Sequence, residues 1–301
     1  MLESIEKLLK PEYFLQPRQF VRRLLGRTTS PGPGGGYVLP LPWDVALEVH
    51  YRDDLARAID TLGVYDLVVT EAIWRLVRPG DTVLDVGANV GYMSLVAAAR
   101  MGLGGRVFAF EPHPQLFDEL SRNASRVRTR FPGVAVTPRR EALSDSAGTA
   151  WLHVPKEFAQ KRGLSSISAT REGIEIVTKR LDDCASEFGN DIALMKIDVE
   201  GHEPAVFRGA RSLLESGAVR HIILEEHGRY PTEAVTFLEG MGYVVFGLER
   251  SLFQARLVHP SLQRRSTWEP PNLVATRRIG EVEDAFRSSG WQCLTSRAHS
   301  R

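Results

Sequence analysis

A glycine-broken junction between a strand and a helix constrains this chain more than any other feature. Residues 81–112 read DTVLDVGANVGYMSLVAAARMGLGGRVFAFEP. Val83, Leu84, Asp85 and Val86 form a short apolar run with a carboxylate near its end. Gly87, Asn89 and Gly91 then make a tight turn, and Ala-rich residues 92–100 suit a helix. Residues 107–110 are a second buried strand, closed by Glu111 and Pro112. Strand, long helical run and strand indicate a parallel sheet unit.

The turn suits a ligand. Glycines carry no Cβ, so the backbone bends sharply and a ligand can come close. The following helix offers its free N–H groups to whatever sits there. Glu111, at the end of the next strand, can accept hydrogen bonds from ribose hydroxyls. A dinucleotide fingerprint requires G-x-G-x-x-G. The spacing here is D-x-G-x-N-x-G, from Asp85 to Gly91. An acid on the turn is poorly placed for a pyrophosphate and suits the ammonium of a methionine moiety. S-adenosylmethionine is therefore the expected cofactor. A nicotinamide-dependent oxidoreductase on a similar sheet is the alternative, as is a non-catalytic adenosyl-cofactor binder that scaffolds partners.

Composition narrows the partners. The 301 residues are 43% apolar and 25% charged with a net charge of +1, as in a soluble globular protein. Nothing suggests a nucleic-acid or anionic-membrane surface. Cys184 and Cys293 stand in no metal or redox spacing, which fits a reducing cytoplasm. No apolar run has the roughly 20 residues needed to span a bilayer. The N-terminal stretch carries acids and no continuous apolar core, so no secretory signal is expected.

Residues 1–36 read as an N-terminal helical segment and a Pro/Gly linker. Ile5, Leu8 and Leu9 form one amphipathic piece. Phe20, Val21, Leu24 and Leu25 form another, alongside Arg18, Arg22, Arg23 and Arg27. A helix packed on the domain is expected, with a membrane-surface helix as the alternative. Residues 28–36 (TTSPGPGGG) lack the Lys-Ser/Thr of a phosphate loop and read as a linker. Residues 53–78 read as two helices broken near Gly63 and stopped by Pro79-Gly80. Tyr65 and Glu71 stand near the first core strand, where they serve structure or edge the pocket.

A helix over 114–128 and a third strand over 134–137 follow. Residues 149–154 and 174–179 look like strands outside the parallel set, with the polar segment 162–168 between them as an exposed or substrate-facing loop. Asp182 and Asp183 sit in the first turn of a helix over 181–188, where negative charge suits the dipole. Residues 192–197 are a fourth strand, leading into Asp198, Val199, Glu200 and Gly201. A helix over 203–215, a fifth strand over 220–226 and a helix over 231–241 come next. Residues 243–248 and 272–276 close the sheet as an antiparallel edge. The connection 250–271 is long enough to be functional. From Gly280 the tail has a helical patch and then frays. The expected architecture is α/β, a doubly wound and mostly parallel sheet with ligand at the strand carboxyl ends. The main domain is expected over 37–278, with a C-terminal tail over 279–301.

Four stretches in order, DVGANVGYMS, FAFEPHP, EALSD and KIDVEGHEPAVFRGA, resemble the FkbM-family methyltransferases over roughly residues 76–248. The resemblance implies a Rossmann-like class I methyltransferase sheet and methyl transfer from S-adenosylmethionine, most often to oxygen on small molecules or sugars. It also implies roles. Asp85, Gly87, Asn89 and Gly91 would line the methionine part, and Glu111 would hold the ribose. Glu141 and Ala142 would sit by the adenine. Asp198 and Glu200 would face the methyl and the acceptor.

A neutral alcohol needs a positioned base. Asp198, Glu200, Glu225, Glu226 and His227 all stand at strand carboxyl ends. His227 has a reference pKa suited to neutral pH. Lys196 shares a face with Asp198 and can pair with it. His202 reads as surface helix. Asp198, Glu200 and Glu225 are hard oxygen ligands of the kind Mg²⁺ accepts, but no ligand spacing supports a metal and none is assigned. Glu111→Ala is expected to weaken the cofactor with little loss of fold.

Overall fold

The structure, a computed structural model, describes residues 10–16, 21, 25, 29–31, 36–50, 53–155, 165–168, 170–264 and 271–295. Most of the basic amphipathic stretch lies outside the described residues. So do residues 32–35 of the linker, Arg162 to Leu164, and the last six positions.

In chain order, a short helix α1 (Pro11–Leu15) precedes an antiparallel hairpin, β1 (Tyr37–Pro40) and β2 (Ala46–Val49). Helix α2 (Asp54–Leu62) starts where the Asp53 side chain accepts from the Ala56 N–H, and stops at Gly63 in the left-handed region. Helix α3 (Leu67–Leu76) is capped in the same way by Asp66. The core then alternates: β3 (Thr82–Val86), α4 (Tyr92–Met101), β4 (Gly105–Phe110), α5 (Pro114–Arg130) and β5 (Val134–Arg139).

A second sheet follows, built from β6 (Ala142–Leu143), β7 (Gly148–His153), β8 (Ser166–Ser168) and β9 (Ile174–Lys179) in the order β6-β9-β7-β8. A 3₁₀ turn (Leu181–Cys184) and α6 (Ala185–Phe188) lead back to β10 (Ile192–Ile197), α7 (Glu203–Gly209), α8 (Arg211–Glu215) and β11 (Val219–Glu225). The chain closes with α9 (Glu233–Gly240), β12 (Val244–Arg250), β13 (Ala255–Val258), β14 (Asn272–Thr276), α10 (Ile279–Arg287) and α11 (Gln292–Thr295).

The main sheet runs β13-β12-β14-β11-β10-β3-β4-β5. Strands β11, β10, β3, β4 and β5 are mutually parallel. The order of the strands along the chain reverses between β3 and β10, which lie parallel, and there doubly wound sheets open a crevice. Neighbouring residues in each strand point to opposite faces. Val83, Val107, Leu194 and Ile223 join the core under α3, α4, α5 and the hairpin. Leu84, Phe108, Met195 and Ile222 join the core under α6 to α9.

Several expectations need correction. Strand β13 was not foreseen; it pairs outside β12 and takes the sheet edge. Strand β14 is inserted antiparallel between β11 and β12. The single helix expected over 203–215 breaks at Ala210 into α7 and α8. Asp182 does not serve its own turn: its carboxylate accepts from the Ser212 and Leu213 N–H groups at 3.0 and 3.1 Å.

The C-terminal segment through Thr295 does not fray. Glu71 and Arg75 form a buried pair at 2.6 Å. The Glu71 carboxylate accepts from the Gln292 and Cys293 N–H groups. Arg75 donates to the carbonyls of Ala285 and Gly290. Trp43 stacks on Trp74 and donates through Nε1 to the Cys293 carbonyl at 2.8 Å. Glu71 is thus structural and stands off the cavity described next. Among the described residues no helix is long and apolar enough to cross a membrane.

Candidate functional site

A cavity of about 640 Å³ opens at the carboxyl ends of β3, β4, β10 and β11, within the range of small-molecule sites. The turn after β3 forms its floor. Gly87, Asn89 and Gly91 take φ of 74°, 51° and 91°, the left-handed region that glycine and asparagine tolerate. Asn89 Oδ1 accepts from the Val90 N–H at 2.8 Å. Glu111 ties the turn to β4: its carboxylate accepts from the Asn89 N–H at 2.8 Å and the His113 N–H at 2.9 Å. Burial pushes Glu111 up to about 7, against the pull of those two N–H groups.

Gly87 is required for a reason other than ligand approach. A Cβ built there would sit 1.9 Å from the Asp198 carbonyl oxygen. The turn is therefore packed directly against the end of β10. Lys196 reinforces the junction, donating to the Gly87 carbonyl at 3.0 Å and lying 3.4 Å from Asp198 and 3.7 Å from Asp85. Burial alone would lower the Lys196 pKa, but the two carboxylates outweigh it and hold it above its usual value.

Gly87, Asn89, Glu111, Glu141, Ala142, Asp198, Glu200, Glu225 and His227 all line the cavity. Asp85 and Gly91 do not. Asp85 is the fourth of five β3 residues, so its side chain packs inward instead of projecting past the strand end. Ser94 donates to its Oδ2 at 2.6 Å. Asp85 thus acts on the site through Lys196. Gly91 caps α4, and a Cβ there would meet the end of Leu120 at 2.7 Å.

The far wall is acidic. Asp198, with 37% of its side chain exposed, faces Glu200 and Glu225 across the loop ends. Burial, then the Asp198 charge, pushes Glu200 up to about 7. Burial, then Asp198, Asp66 and Glu200, pushes Glu225 up to about 8. The Glu225 carboxylate lies 2.9 Å from His227 Nε2, and that ring is 63% exposed. Tyr65 also lines the cavity, resolving its two readings toward the pocket edge. Glu226 instead accepts from Thr232 and the Gly228 N–H, away from the cavity. Among the described residues no three His, Cys, Asp or Glu side chains gather as a metal-binding group.

The opposite end holds Glu141, Ala142, Ser165 and Ile167. The segment 162–168, where described, therefore meets the cavity. Glu141 pairs through Oε1 with Lys179 at 2.7 Å, while its buried Oε2 has no hydrogen-bond partner. His202 was read as surface helix; it is half-buried on the cavity wall, with Nε2 2.9 Å from Ser144 Oγ. No local sequence signal marks it, because Ser144 is 58 residues away.

The family model of the methyltransferase FkbM domain matches residues 85–245. The 31-O-demethyl-FK506 methyltransferase FkbM of Streptomyces tacrolimicus is 32% identical over 221 residues, covering 63% of this chain and 82% of that protein. The hexuronic acid methyltransferase AglP of Haloferax volcanii is 30% identical over 188 residues, covering 62% of this chain and 72% of that protein. A solved methyltransferase FkbM from Methylobacillus flagellatus KT overlaps 67% of this chain and 47% of its own, at 14% identity and a TM-score of 0.43. The wall residues Lys10, Glu12, Tyr65, Asp66, Arg250 and Asn272 lie outside the matched stretch.

Proposed function

This chain belongs to the FkbM family of S-adenosylmethionine-dependent methyltransferases, and from that premise we propose that it methylates a hydroxyl group on a small molecule or sugar. Membership removes the oxidoreductase and scaffold alternatives. The acceptors named for two relatives, 31-O-demethyl-FK506 and a hexuronic acid, favour an oxygen target on such molecules. The observation that carries the reading is one cavity with two unlike ends, a glycine turn with Glu111 and Glu141 on one side and a carboxylate wall on the other.

The residues present fit the cofactor. The unpartnered, buried Oε2 of Glu141 is an acceptor on the cavity wall, and an adenine amino group is a matching donor. Gly87, Ala88 and Asn89 supply a floor of backbone without bulky side chains, suited to the methionine part. Glu111 has lone pairs left for ribose hydroxyls after holding two N–H groups. Asp85 contributes from beneath, through Lys196. When bound, the cofactor supplies a methyl group already activated for displacement.

The chain's own part is to hold the acceptor and take its proton. Glu225 is the proposed base. It lines the cavity, and a carboxyl that burial and the neighbouring Asp198 charge push up to about 8 is matched to proton transfer at neutral pH. His227, bonded to it and largely exposed, passes the proton to solvent. Asp198, braced by Lys196, orients the acceptor hydroxyl, and Glu200 closes the same wall. The lining from Tyr65, Asp66, Arg250 and Asn272 shapes the acceptor end.

Titration with S-adenosylhomocysteine and, separately, with NADH tests the cofactor seat. Binding of the first and not the second is expected; the reverse removes the reading. A radiolabelled methyl screen over sugars, phenols and polyketide-like alcohols then finds the acceptor class.

Two further outcomes are expected. Glu111→Gln keeps one acceptor oxygen but turns its NH2 toward one of the two backbone N–H groups, so it weakens S-adenosylhomocysteine binding roughly tenfold, the scale of one charge-assisted hydrogen bond, with a smaller loss of fold than Glu111→Ala. Glu111→Ala leaves the part-buried Asn89 N–H and the buried His113 N–H unpaired, so it destabilises the fold as well, contrary to the sequence expectation. Thermal melts of both variants separate the two effects.

The second outcome concerns pH. Glu111, Glu200 and Glu225 all have folded-state values above their usual 4.5. Their contribution to stability is therefore complete below the unfolded value and lost as pH rises through about 7 to 8. The midpoint of the ligand-free chain should fall as pH rises from about 4.5 to about 8 and level off above that, and Glu225→Gln should flatten the fall. An unchanged slope in the variant contradicts the assignment of Glu225.

A further inference from the structure

His202 stands where no motif reading put a ligand contact, yet its ring is held on the cavity wall near Glu141. Its Nε2 lies 2.9 Å from the hydroxyl of Ser144, which is itself buried. Ser144 donates its N–H to the Lys179 carbonyl at 2.9 Å, and Lys179 pairs with Glu141. Lys179 thus braces both the Glu141 carboxylate, through its Oε1, and the serine that holds the imidazole.

The backbone beneath His202 is equally set. It is the residue before α7, whose Glu203 carboxylate accepts from the Val199 and Gly201 N–H groups at 3.1 and 3.3 Å. At the far end of α7, a Cβ on Gly209 would sit 1.9 Å from the Ser144 carbonyl oxygen. Helix α7 is therefore pressed against the Ser144 loop at one end and hydrogen-bonded to it at the other. The backbone that carries His202 is therefore fixed, and the Ser144 hydroxyl holds the ring at the cavity wall.

We propose that His202 binds the nucleobase of S-adenosylmethionine through Nδ1, with Ser144 as the residue that positions the ring. The inference rests on the cofactor seat proposed above. With Nε2 engaged by Ser144, Nδ1 is the ring atom left for a ligand. Burial lowers the His202 pKa, so the ring is neutral at pH 7. A neutral imidazole offers one donor or one acceptor without charge, which matches an uncharged base better than a ribose or a carboxylate. Glu141 Oε2 supplies the complementary acceptor on the same side.

The test measures affinity for S-adenosylhomocysteine and for 5′-methylthioadenosine, which keeps the nucleoside and lacks the amino acid. His202→Ala should weaken both by the same factor, roughly ten- to a hundredfold, with Ser144→Ala weakening both by roughly three- to tenfold. His202→Gln places an amide where Nε2 was and keeps the Ser144 bond, but has nothing at Nδ1. It should behave like His202→Ala. His202→Asn, with its amide at the Nδ1 position, should retain part of the affinity. Wild-type affinity in His202→Gln would show that the histidine only latches two loops, and would overturn the inference. Loss for S-adenosylhomocysteine alone would overturn it too, by moving the contact to the methionine side. Melting temperatures of the four variants, expected within a few degrees of wild type, show that affinity and not folding is being read. If the wild-type chain binds neither probe, the cofactor seat itself is wrong, a failure distinct from that of His202.

Discussion

Gly87→Ala should remove cofactor binding and lower the melting temperature by roughly 5–20 °C. The added Cβ would lie 1.9 Å from the Asp198 carbonyl oxygen and 2.9 Å from its carbon. Both are backbone atoms, so no rotamer relieves the clash. The residue also sits at φ 74°, where a side chain costs about 1–2 kcal/mol. Overpacking adds about 1–3 kcal/mol. The sum is a large part of a total stability of about 5–15 kcal/mol, and each kcal/mol moves the midpoint of a domain this size by about 2–4 °C. Relief means pushing β10 away from β3, which shifts Asp198 and breaks the Lys196 bond to the Gly87 carbonyl. Gly91→Ala is the comparison. Its nearest obstacle is the end of the Leu120 side chain at 2.7 Å, which can move. It should be clearly milder. Equal effects from the two substitutions would mean that the turn is not anchored through Asp198.

Glu225→Gln should lower kcat by roughly 10²–10⁴, the usual contribution of a general base, while S-adenosylhomocysteine binds within about twofold of wild type. The base must be deprotonated to act, so wild-type kcat/KM for the acceptor should climb with pH and level off above about 8. The glutamine variant should lose that limb. His227→Ala should slow the reaction less, because it removes only the exit of the proton toward solvent. If Asp198→Asn shows the rate loss and the missing limb while Glu225→Gln shows neither, the base is Asp198 and Glu225 is part of the acceptor wall.

The parts of this fold that were legible in the sequence are those whose physics is local. The Gly87-Asn89-Gly91 turn, the helix after it and Glu111 were readable because glycine spacing, Ala-rich periodicity and a strand-ending acid all occur within one stretch. Strand alternation put Lys196 on one face with Asp198 but left open whether it pairs or snorkels past the strand end; the structure pairs them. Strand β13 was hidden because its four residues, Ala255 to Val258, include an arginine and follow an exposed turn. An edge strand is defined by its partner more than by its own composition. The C-terminal segment looked like a loose tail because its anchor, the Glu71–Arg75 pair, lies over two hundred residues away.

The site divided along the same line. Gly87, Asn89, Glu111, Glu141, Ala142, Asp198 and Glu200, whose roles the family resemblance implied, line the cavity together with Glu225 and His227, which were named from their position at a strand end. Asp85 was misjudged by one position: it lies inside β3, so Ser94 of α4 claims its carboxylate. Gly87 was read as room for a ligand, whereas its space is taken by β10. His202 and Ser144 meet only because α7 docks on the loop after β6, and neither residue type signals this in sequence.

The most direct measurement is a crystal structure of the chain with S-adenosylhomocysteine. The account predicts the adenosyl group over residues 87–89, its ribose on Glu111, its base between Glu141 and His202, and its sulfur directed toward Asp198 and Glu225. An adenosyl group lodged elsewhere, with the turn after β3 empty or the carboxylate wall turned away from the sulfur, would contradict it.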